Sequence, residues 1–528
     1  MDASRYLLIP TLGMFCSLAF AQERGGPTLE HSAPFLGHRL VLSMQGATPG
    51  APAALMQSPE AGEVVLPYGV LELDPDQVTV IATDEVNTEG RARFFIPLPK
   101  DAASAELECH YQILVGDAAR PTSAALSEAV HLRVLGPRVY VGHGPYGLSI
   151  VSATDESVVV NVDVDTPGGA SVPGTRGGAV FNRNYSRGAV MTGRDELLIF
   201  DPFFGEVIRR VSFEHATREL IVDARQEHVL VLERRSVGGG PTLNGRVHII
   251  DLEAGDVDAV VELPHAVLNQ WVAHRDGNAY IAENRGDYTI FVRRFGIEGR
   301  EVLDAFEVGQ TRFGQISGMT ITHDTLFTTV SSGFEGEISR ISLSSAPVAV
   351  DSTPVPGQAN LRDLIPVLAA RRVLFGRYFT GYGGADLHSA PIVGSDPVES
   401  IGMPGGARGL ADAVVRGRSI WALSTELDAD GEPDFLVYME DVLEPGWVNI
   451  GGSNCAGSFA GIGSIRDRYV DQIVYGVHSC SIGAATSTLV FHDPVTNAES
   501  AVALDHRQSS LRTVPVPSRA PAGLDSAR

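Results

Sequence analysis

The sequence predicts an all-β chain in which an N-terminal β-sandwich precedes a β-propeller of eight four-stranded blades. Residues 38–135 hold short alternating apolar runs divided by Gly, Pro and Asp, which is the pattern of a sandwich. From Gly136 onward, two β-runs around a turn recur about every 43–52 residues, close to the ~40–50 residues of a propeller blade. No helical periodicity interrupts these units, which points to blades arranged around an axis.

The first residues predict export. Arg5 precedes an apolar run over 6–20, and Ala19-Phe20-Ala21 fits signal-peptidase cleavage. We therefore expect a signal peptide at 1–21, a linker at 22–37 and a periplasmic, cell-surface or extracellular location. The alternative is a short membrane anchor, but the run is shorter than the ~20 apolar residues that a span requires. No later stretch is apolar enough, so no transmembrane segment is expected.

The charge of the chain argues against one class of partner. The 528 residues carry a formal net charge of −24, whereas nucleic-acid binding depends on clustered Lys and Arg. Nucleic acid is therefore not expected as a partner.

The N-terminal unit has the proportions of an immunoglobulin-like domain, without its Cys…Trp…Cys core. It resembles the small sandwich modules that secreted bacterial proteins place before their main domain, a resemblance that brings no catalytic residues. Seven runs are predicted as its strands: 38–44, 53–57, 64–73, 78–82, 92–98, 106–115 and 130–135.

The propeller, expected over 136–516, is predicted from its repeated turn. Asp occupies the turn in the three clearest copies, and weaker copies occur near Ser152, Arg294, Ser342, Ser389 and Asp441. Another β-run precedes most copies, at 228–232, 279–282, 325–329, 372–375, 419–423 and 472–475. The clear turn residues are Asp201, Asp251 and Asp493.

The first unit supplies only three strands, so we expect 510–516 to add the fourth and close the ring, followed by a disordered tail at 517–528. Closure would remove an exposed sheet edge. Seven blades is the alternative if one weak copy is false. The repeat resembles the broad group of bacterial propellers that includes YVTN-type and quinoprotein-like arrays, although their regular Trp positions are missing.

An aromatic loop is the first candidate ligand site. It lies between strands B and C of the sixth unit, counting strands A to D from the centre outward, and such loops open on the face where propellers usually bind ligands. Tyr378, Phe379 and Tyr382 could stack on sugar rings or dock a peptide, with Arg377 adding charge. The alternative is a rim loop whose aromatic side chains cover a neighbouring blade.

An acidic loop in the seventh unit is the candidate metal site. Glu426, Asp428, Asp430 and Asp434 stand at offsets 1, 3, 5 and 9, with Gly at offset 6, and resemble the calcium loops of FG-GAP and EF-hand-like sites. The expected cofactor is calcium. Val437 stands where an EF-hand places its bidentate Glu, and a plain Asp-Gly hairpin is the alternative.

Three cysteines remain after cleavage of the signal peptide. Cys455 and Cys480 flank the A and B strands of the last unit, where antiparallel pairing would bring them together, so a disulfide is predicted. The alternative is two separate thiols. Cys109 lies in an alternating strand and is predicted to be a buried structural thiol.

The sequence favours a non-enzymatic binding or scaffolding protein that recognises a polypeptide or polysaccharide on the propeller face. No nucleophile elbow or metalloprotease motif occurs. A lactonase-like hydrolase or polysaccharide lyase is the alternative, because propeller enzymes draw catalytic residues from separate blades. A structural protein of the cell surface is a third possibility. The histidines to inspect near the channel are His143, His274, His323 and His478.

Overall fold

The computed structural model describes residues 27–514 of the chain, except for eighteen short internal segments. Those segments are 117–123, 144–146, 163–177, 193–195, 215–219, 234–243, 286–288, 311–314, 332–335, 345–347, 356–360, 378–385, 395, 403–408, 426–433, 454–458, 479–485 and 506–509. Within the described residues the chain is all-β apart from 3₁₀ turns such as Ala102–Ser104 and Leu368–Ala370. None of the helical segments described is long and apolar enough to cross a membrane.

The chain divides into two compact units. The described residues of the first are 27–30, Leu42–Phe94 and Cys109–His131, and the second comprises His31–Val41, Phe95–Glu108 and everything from Leu132 onward. Ten strands precede the large repeat: β1 Thr28–His31, β2 Arg39–Gln45, β3 Pro52–Ser58, β4 Ala61–Leu66, β5 Gly69–Leu73, β6 Thr79–Glu85, β7 Ala92–Pro97, β8 Glu108–Val115, β9 Ala125–Leu126 and β10 Val130–Arg133.

These ten strands form a sheet ordered β1-β2-β7, a sheet ordered β10-β8-β3-β6 in which β9 also pairs with β8, and the hairpin β4-β5. Within the first unit, Leu71 and Leu73 of the hairpin are buried with Met56 and Leu126. Two expectations need correction. The run 64–73 is two strands separated by Pro67-Tyr68, because the chain reverses there, and the expected linker 22–37 contains β1, which pairs with β2.

The second unit contains eight four-stranded antiparallel sheets among its described residues. We number them I to VIII and name their strands A to D. The strands are β11 Arg138–Gly142, β12 Leu148–Ser152, β13 Ser157–Val162 and β42 Ser510–Val514 (I); β14 Val180–Phe181, β15 Gly188–Thr192, β16 Glu196–Phe200 and β17 Val207–Ser212 (II); β18 Leu220–Val222, β19 His228–Glu233, β20 Arg246–Asp251 and β21 Val257–Glu262 (III); β22 Ala266–Ala273, β23 Asn278–Asn284, β24 Thr289–Gly296 and β25 Glu301–Gln310 (IV); β26 Gln315–Thr322, β27 Thr325–Ser331, β28 Gly336–Ser342 and β29 Ala349–Val355 (V); β30 Leu361–Val367, β31 Arg372–Arg377, β32 Asp386–Pro391 and β33 Glu399–Gly402 (VI); β34 Gly409–Arg416, β35 Ser419–Thr425, β36 Asp434–Met439 and β37 Trp447–Ser453 (VII); β38 Phe459–Arg466, β39 Asp471–His478, β40 Ser487–His492 and β41 Glu499–Leu504 (VIII).

Successive sheets meet through their A strands, from β14 of sheet II to β38 of sheet VIII, and β38 contacts β42 in turn. Gly178, just before β14, lies directly against Leu511 and Arg512 of β42. In sheet I, β42 is strand A and pairs antiparallel with β11, so β11, β12 and β13 are strands B, C and D. The C-terminal run therefore supplies the fourth strand of this sheet, as predicted. This strand order and the circular sequence of contacts are those of a β-propeller.

Hydrophobic side chains fill the spaces between neighbouring sheets. One cluster joins Leu230 and Ile249 of sheet III to Ile281 and Phe295 of sheet IV, and another joins Val139 of sheet I to Val474 and Phe491 of sheet VIII. B and C strands are therefore buried on both faces, which explains the continuous apolar runs by which the sequence marks them.

Candidate functional site

The antiparallel order gives the propeller two distinct faces. We call the edge where B leads to C, and D leads to the next A, the loop face; it includes Glu233, Arg246 and His265 in sheet III. The opposite edge, where A leads to B and C leads to D, is the turn face; it includes Asp223 and Asp251 in the same sheet. Binding residues on rigid scaffolds concentrate on loops, so either face could hold a ligand site.

One C–D turn recurs on the turn face. Oδ1 of Asp201 accepts hydrogen bonds from the backbone N–H groups of Phe203 and Phe204, and Gly205 N–H returns to the Asp201 carbonyl. Asp251 makes the same contacts with Glu253, Ala254 and Gly255. Asp493 makes them with Val495, Thr496 and Asn497. The position of these three aspartates in the repeated turn, predicted from the sequence, is confirmed.

A group of three possible metal ligands lies in the A–B turn of sheet III. One ligand atom each from Asp223, Glu227 and His228 lie within 4.8 Å of one another. Oδ1 of the buried Asp223 accepts the backbone N–H groups of Glu227 (2.8 Å) and His228 (3.0 Å), and Oδ2 lies 3.6 Å from His228 Nδ1. Two carboxylates and one imidazole suit Zn²⁺ or Mn²⁺ chemically, but the same contacts also describe a capped turn.

A second polar group joins sheets IV and V, and it contains two histidines selected from the sequence. His274 Nε2 donates to the backbone carbonyl of His323 at 2.8 Å, and its Nδ1 lies 3.2 Å from Asp276 Oδ1. Asp276 also accepts the Tyr280 hydroxyl (3.0 Å). Burial alone would raise the pKa of Asp276, but hydrogen bonds from Asn278, His274 and Tyr280 hold it below its usual range.

The chain itself covers part of the turn face, next to the sheet that closes the ring. The carbonyl of the fully buried Leu36 accepts hydrogen bonds from Arg468 (3.0 Å) and the Tyr469 hydroxyl (3.2 Å) of sheet VIII. Phe35 stacks edge-on against Tyr185 of sheet II at 5.0 Å. The segment around Leu36 therefore braces sheets on both sides of sheet I.

A buried ion pair supports the same region. Arg138, at the start of β11, is 1 % exposed; it pairs with Glu106 and donates from Nη1 to the Pro202 carbonyl of sheet II at 2.7 Å. A buried guanidinium needs such partners because desolvating a charge is costly. These contacts fix sheet I to sheet II.

The described part of the loop face includes charged groups in sheets III and IV. The fully buried Glu233 lies 2.8 Å from His248 Nε2, while Arg246 pairs with Glu262 and with Glu214. In sheet IV the buried Glu283 pairs with Arg293. Sequence reasoning missed both buried carboxylates, and their only signal was a Glu at the end of an apolar B strand.

His143 and His478 lie in other sheets than His274, whereas His323 meets it through its backbone carbonyl. His143 follows β11 at the loop face, is buried and places Nε2 2.7 Å from Ser149 Oγ. Because Ser149 donates its hydroxyl proton to Asn161, Nε2 acts here as a donor rather than as a base. His323 adopts a left-handed conformation (φ +53°) in its turn, and His478 is the last residue of β39.

Most of the residues that the sequence predicts for the ligand site, the metal site and the disulfide lie outside the described residues. These are Tyr378, Phe379, Tyr382, Glu426, Asp428, Asp430, Cys455 and Cys480. Arg377 is the last residue of β31 and Asp434 the first of β36, so both candidate loops connect a B strand to a C strand at the loop face. Cys109 is free, half-buried on β8, and its sulfur accepts from Gln57 Nε2 at 3.1 Å.

The sequence matches no protein-family model, and no curated protein matches it. Several solved structures align with this chain over much of its length. The dihydro-heme d1 dehydrogenase NirN in complex with DHE aligns over 71 % of this chain and 75 % of its own, with 13 % identity and a TM-score of 0.49. Apo AztD from Citrobacter koseri (72 % and 98 %, 14 %, 0.47) and BamB from Moraxella catarrhalis (65 % and 88 %, 12 %, 0.42) are also similar.

All three TM-scores are below 0.5, so the assignment of a β-propeller fold rests on the strand order and contacts of this chain. The identities are too low to carry ligands or activities from those proteins to this one.

Proposed function

We propose that this chain is an exported, non-enzymatic binding or scaffolding protein that recognises a polypeptide or polysaccharide on its loop face. In this proposal, residues 38–135 form an immunoglobulin-like sandwich that acts as a spacer or assembly module. The eight four-stranded sheets of 136–516 are the blades of one closed propeller.

The contrast between the two faces supports this proposal. On the turn face, connections are as short as 323–324 and 417–418, and aspartates cap several of them. On the loop face, 163–179 separate β13 from β14 and 234–245 separate β19 from β20. Long connections of unequal length on a regular scaffold are typical of ligand recognition, because they vary without disturbing the core.

Contacts within the protein already occupy much of the turn face. Glu253 of sheet III accepts hydrogen bonds from Asn182 and Ser186 of sheet II, and Leu36 is held by sheet VIII. Side chains that join neighbouring sheets are committed to stability. This leaves the loop face as the favoured surface for a ligand.

The proposed ligand contacts are Arg377, Tyr378, Phe379 and Tyr382 of sheet VI. Tyr side chains offer a broad apolar surface and a hydroxyl at low entropic cost, which suits sugars and peptides alike. The test is binding of residues 22–528 to glycan and peptide arrays. We expect the double variant Tyr378→Ala, Tyr382→Ala to lose binding at least tenfold.

Val393→Ala is the matched control, since Val393 is 76 % exposed at the turn face of the same sheet. An equal loss in both variants would contradict the proposed surface. Hydrolysis of a lactone or cleavage of a polysaccharide by the wild-type chain would instead support the enzymatic alternative.

We further propose a calcium ion at Glu426, Asp428, Asp430 and Asp434, and a Cys455–Cys480 disulfide. Oxygen-rich loops bind this hard cation, and an oxidising compartment favours the bond. Calorimetric titration with Ca²⁺ tests the calcium site. We expect the double variant Asp428→Asn, Asp430→Asn to show no heat of Ca²⁺ binding. Mass spectrometry before and after reduction tests the second. A titration without heat of binding would refute the calcium site. Two thiols that react with an alkylating reagent before reduction would refute the disulfide.

Export is tested separately in cell fractions. The full chain should lose residues 1–21 and leave the cytoplasm, whereas a chain that starts at residue 22 behind a new Met should stay inside. Recovery of uncleaved full-length protein in the cytoplasm would contradict the proposed location.

A further inference from the structure

Glu337 is a half-buried carboxylate at the loop face, between sheets IV and V. It is the second residue of β28 and lies opposite Val330 of β27 and Pro354 of β29. Ser339, on the same side of β28, donates to the Val308 carbonyl of β25 at 3.2 Å. The Glu337 side chain therefore also faces β25 of the neighbouring sheet.

A glycine provides the space that the carboxylate occupies. Gly309 lies beside Glu337, and a Cβ at position 309 would collide with Glu337 Oε1. Any other residue at 309 would displace the carboxylate. The Glu337 side chain thus occupies space that only a glycine at 309 leaves.

Glu337 differs from the other buried carboxylates on this face because none of the described residues pairs with it. Glu233 has His248 and Glu283 has Arg293 as partners. Burial is the sole cause that raises the pKa of Glu337 above its usual value. Partial burial of a charge that no described residue neutralises costs stability, so an external cation that pairs with Glu337 would offset that cost.

We infer that Glu337 anchors a cationic group of the ligand, namely the ammonium or guanidinium of a Lys or Arg side chain in a polypeptide. This inference rests on the proposed function and specifies its ligand class. A full opposite charge forms the strongest hydrogen bonds to a carboxylate. The net charge of −24 also attracts cationic ligands over long range. A neutral polysaccharide would use neither advantage.

The test uses residues 22–528 and immobilised peptides that differ only in Arg, Lys, Gln or Glu at one position. The wild type should prefer the Arg and Lys peptides, and Glu337→Gln should weaken their binding at least tenfold while leaving the Gln peptide unchanged. Glu301→Gln removes the same charge from the exposed turn-face end of β25, and it should retain the preference.

Thermal unfolding provides a second readout. Because Glu337→Gln removes a half-buried charge that no described residue neutralises and keeps the shape of the side chain, it should unfold at the same temperature as the wild type or higher. A lower unfolding temperature, or an unchanged Arg and Lys preference, overturns the inference. Retention of glycans without a basic-peptide preference overturns it but leaves the proposed function standing, whereas a chain that retains neither class of probe refutes both.

Discussion

The buried Arg138 of the second unit is held by partners from distant parts of the sequence. Arg138 is paired with Glu106 and hydrogen-bonded to the Pro202 carbonyl, whereas the pair Arg209–Asp256 lies at the surface with both side chains more than half exposed. Removing one member of a buried pair leaves an uncompensated charge, while exposed pairs contribute little.

We therefore expect Arg138→Met to lower the free energy of unfolding by about 3 kcal/mol, and Arg209→Met to change it by less than ~1 kcal/mol. Chemical denaturation of the two variants measures the difference. Similar values for both would show that the Arg138 contacts add no more than a surface pair. The double variant Arg138→Met, Glu106→Gln should be less destabilised than the sum of the single changes.

The dependence of the free energy of unfolding on pH, in the acidic range, should involve Asp276. Its folded-state pKa lies below the ordinary 3.8, so its contribution is present above the unfolded pKa and is lost as the pH falls through the folded value. Asp276→Asn should therefore be less stable than wild type at pH 7, with the difference shrinking below about pH 4. Denaturation at pH 7, 5 and 3.5 measures this, and a pH-independent difference would contradict it.

At this scale the sequence predicts residues with local partners and misses those with distant ones. Asp201, Asp251 and Asp493 cap amides two and three residues ahead, so a short pattern reveals them. Arg138 and Glu337 depend on Glu106 and Gly309, which no local spacing connects. His274 and His323 were selected for a channel, yet they meet in turn-face turns because A and B strands join there.

The element that repeats is a turn closed by a residue with positive φ. Gly205, Gly255 and Asn497 close the three copies, with φ of +73°, +73° and +57°. Gly255 also packs against Arg209 and Ile199 of the preceding sheet. Gly205 likewise lies against Val160 and Val162 of sheet I, so these two turns contact both their own sheet and the preceding one.

Two glycine variants separate these roles. Gly255→Ala and Gly277→Ala both place a Cβ at positive φ (+73° and +83°), but a Cβ at 277 meets nothing within 4 Å. Both should lose about 1 kcal/mol from backbone strain, and Gly255→Ala should lose more because its Cβ crowds the neighbouring sheet. Thermal unfolding of the pair decides this, and equal losses would argue against a role for Gly255 between sheets.

Among elements, the sequence is most informative where strands are buried on both faces. The B strands at His228–Glu233, Asn278–Asn284 and Ser419–Thr425 coincide with predicted runs, because continuous apolar runs mark them. The prediction of a single strand over 64–73 was wrong because Pro67-Tyr68 does not interrupt the hydrophobic pattern. Strand β1 was not predicted because it is too short and too polar to be recognised.

For the whole molecule, ring closure depends on pairing the end of the chain with its interior. Sheet I takes β42 from the C-terminus and β11 from just after the first unit. The sequence predicted this pairing because the first propeller repeat was one strand short. It could not predict the brace at Leu36, since a backbone carbonyl that accepts from Arg468 and Tyr469 has no signature in the sequence.

Closure by β42 should control both stability and self-association. A chain that ends at residue 509 lacks the strand that covers β11 and loses Leu511 from the contact with Gly178. It should unfold at lower temperature and aggregate as its concentration rises, because an uncovered strand edge pairs with other chains. A chain that ends at residue 516 keeps β42 and should behave like the full-length protein. Calorimetry and light scattering across a concentration series test both chains. If the two unfold alike and stay monomeric, sheet I is stable without its C-terminal strand and the ring is held by the other sheet-to-sheet contacts alone.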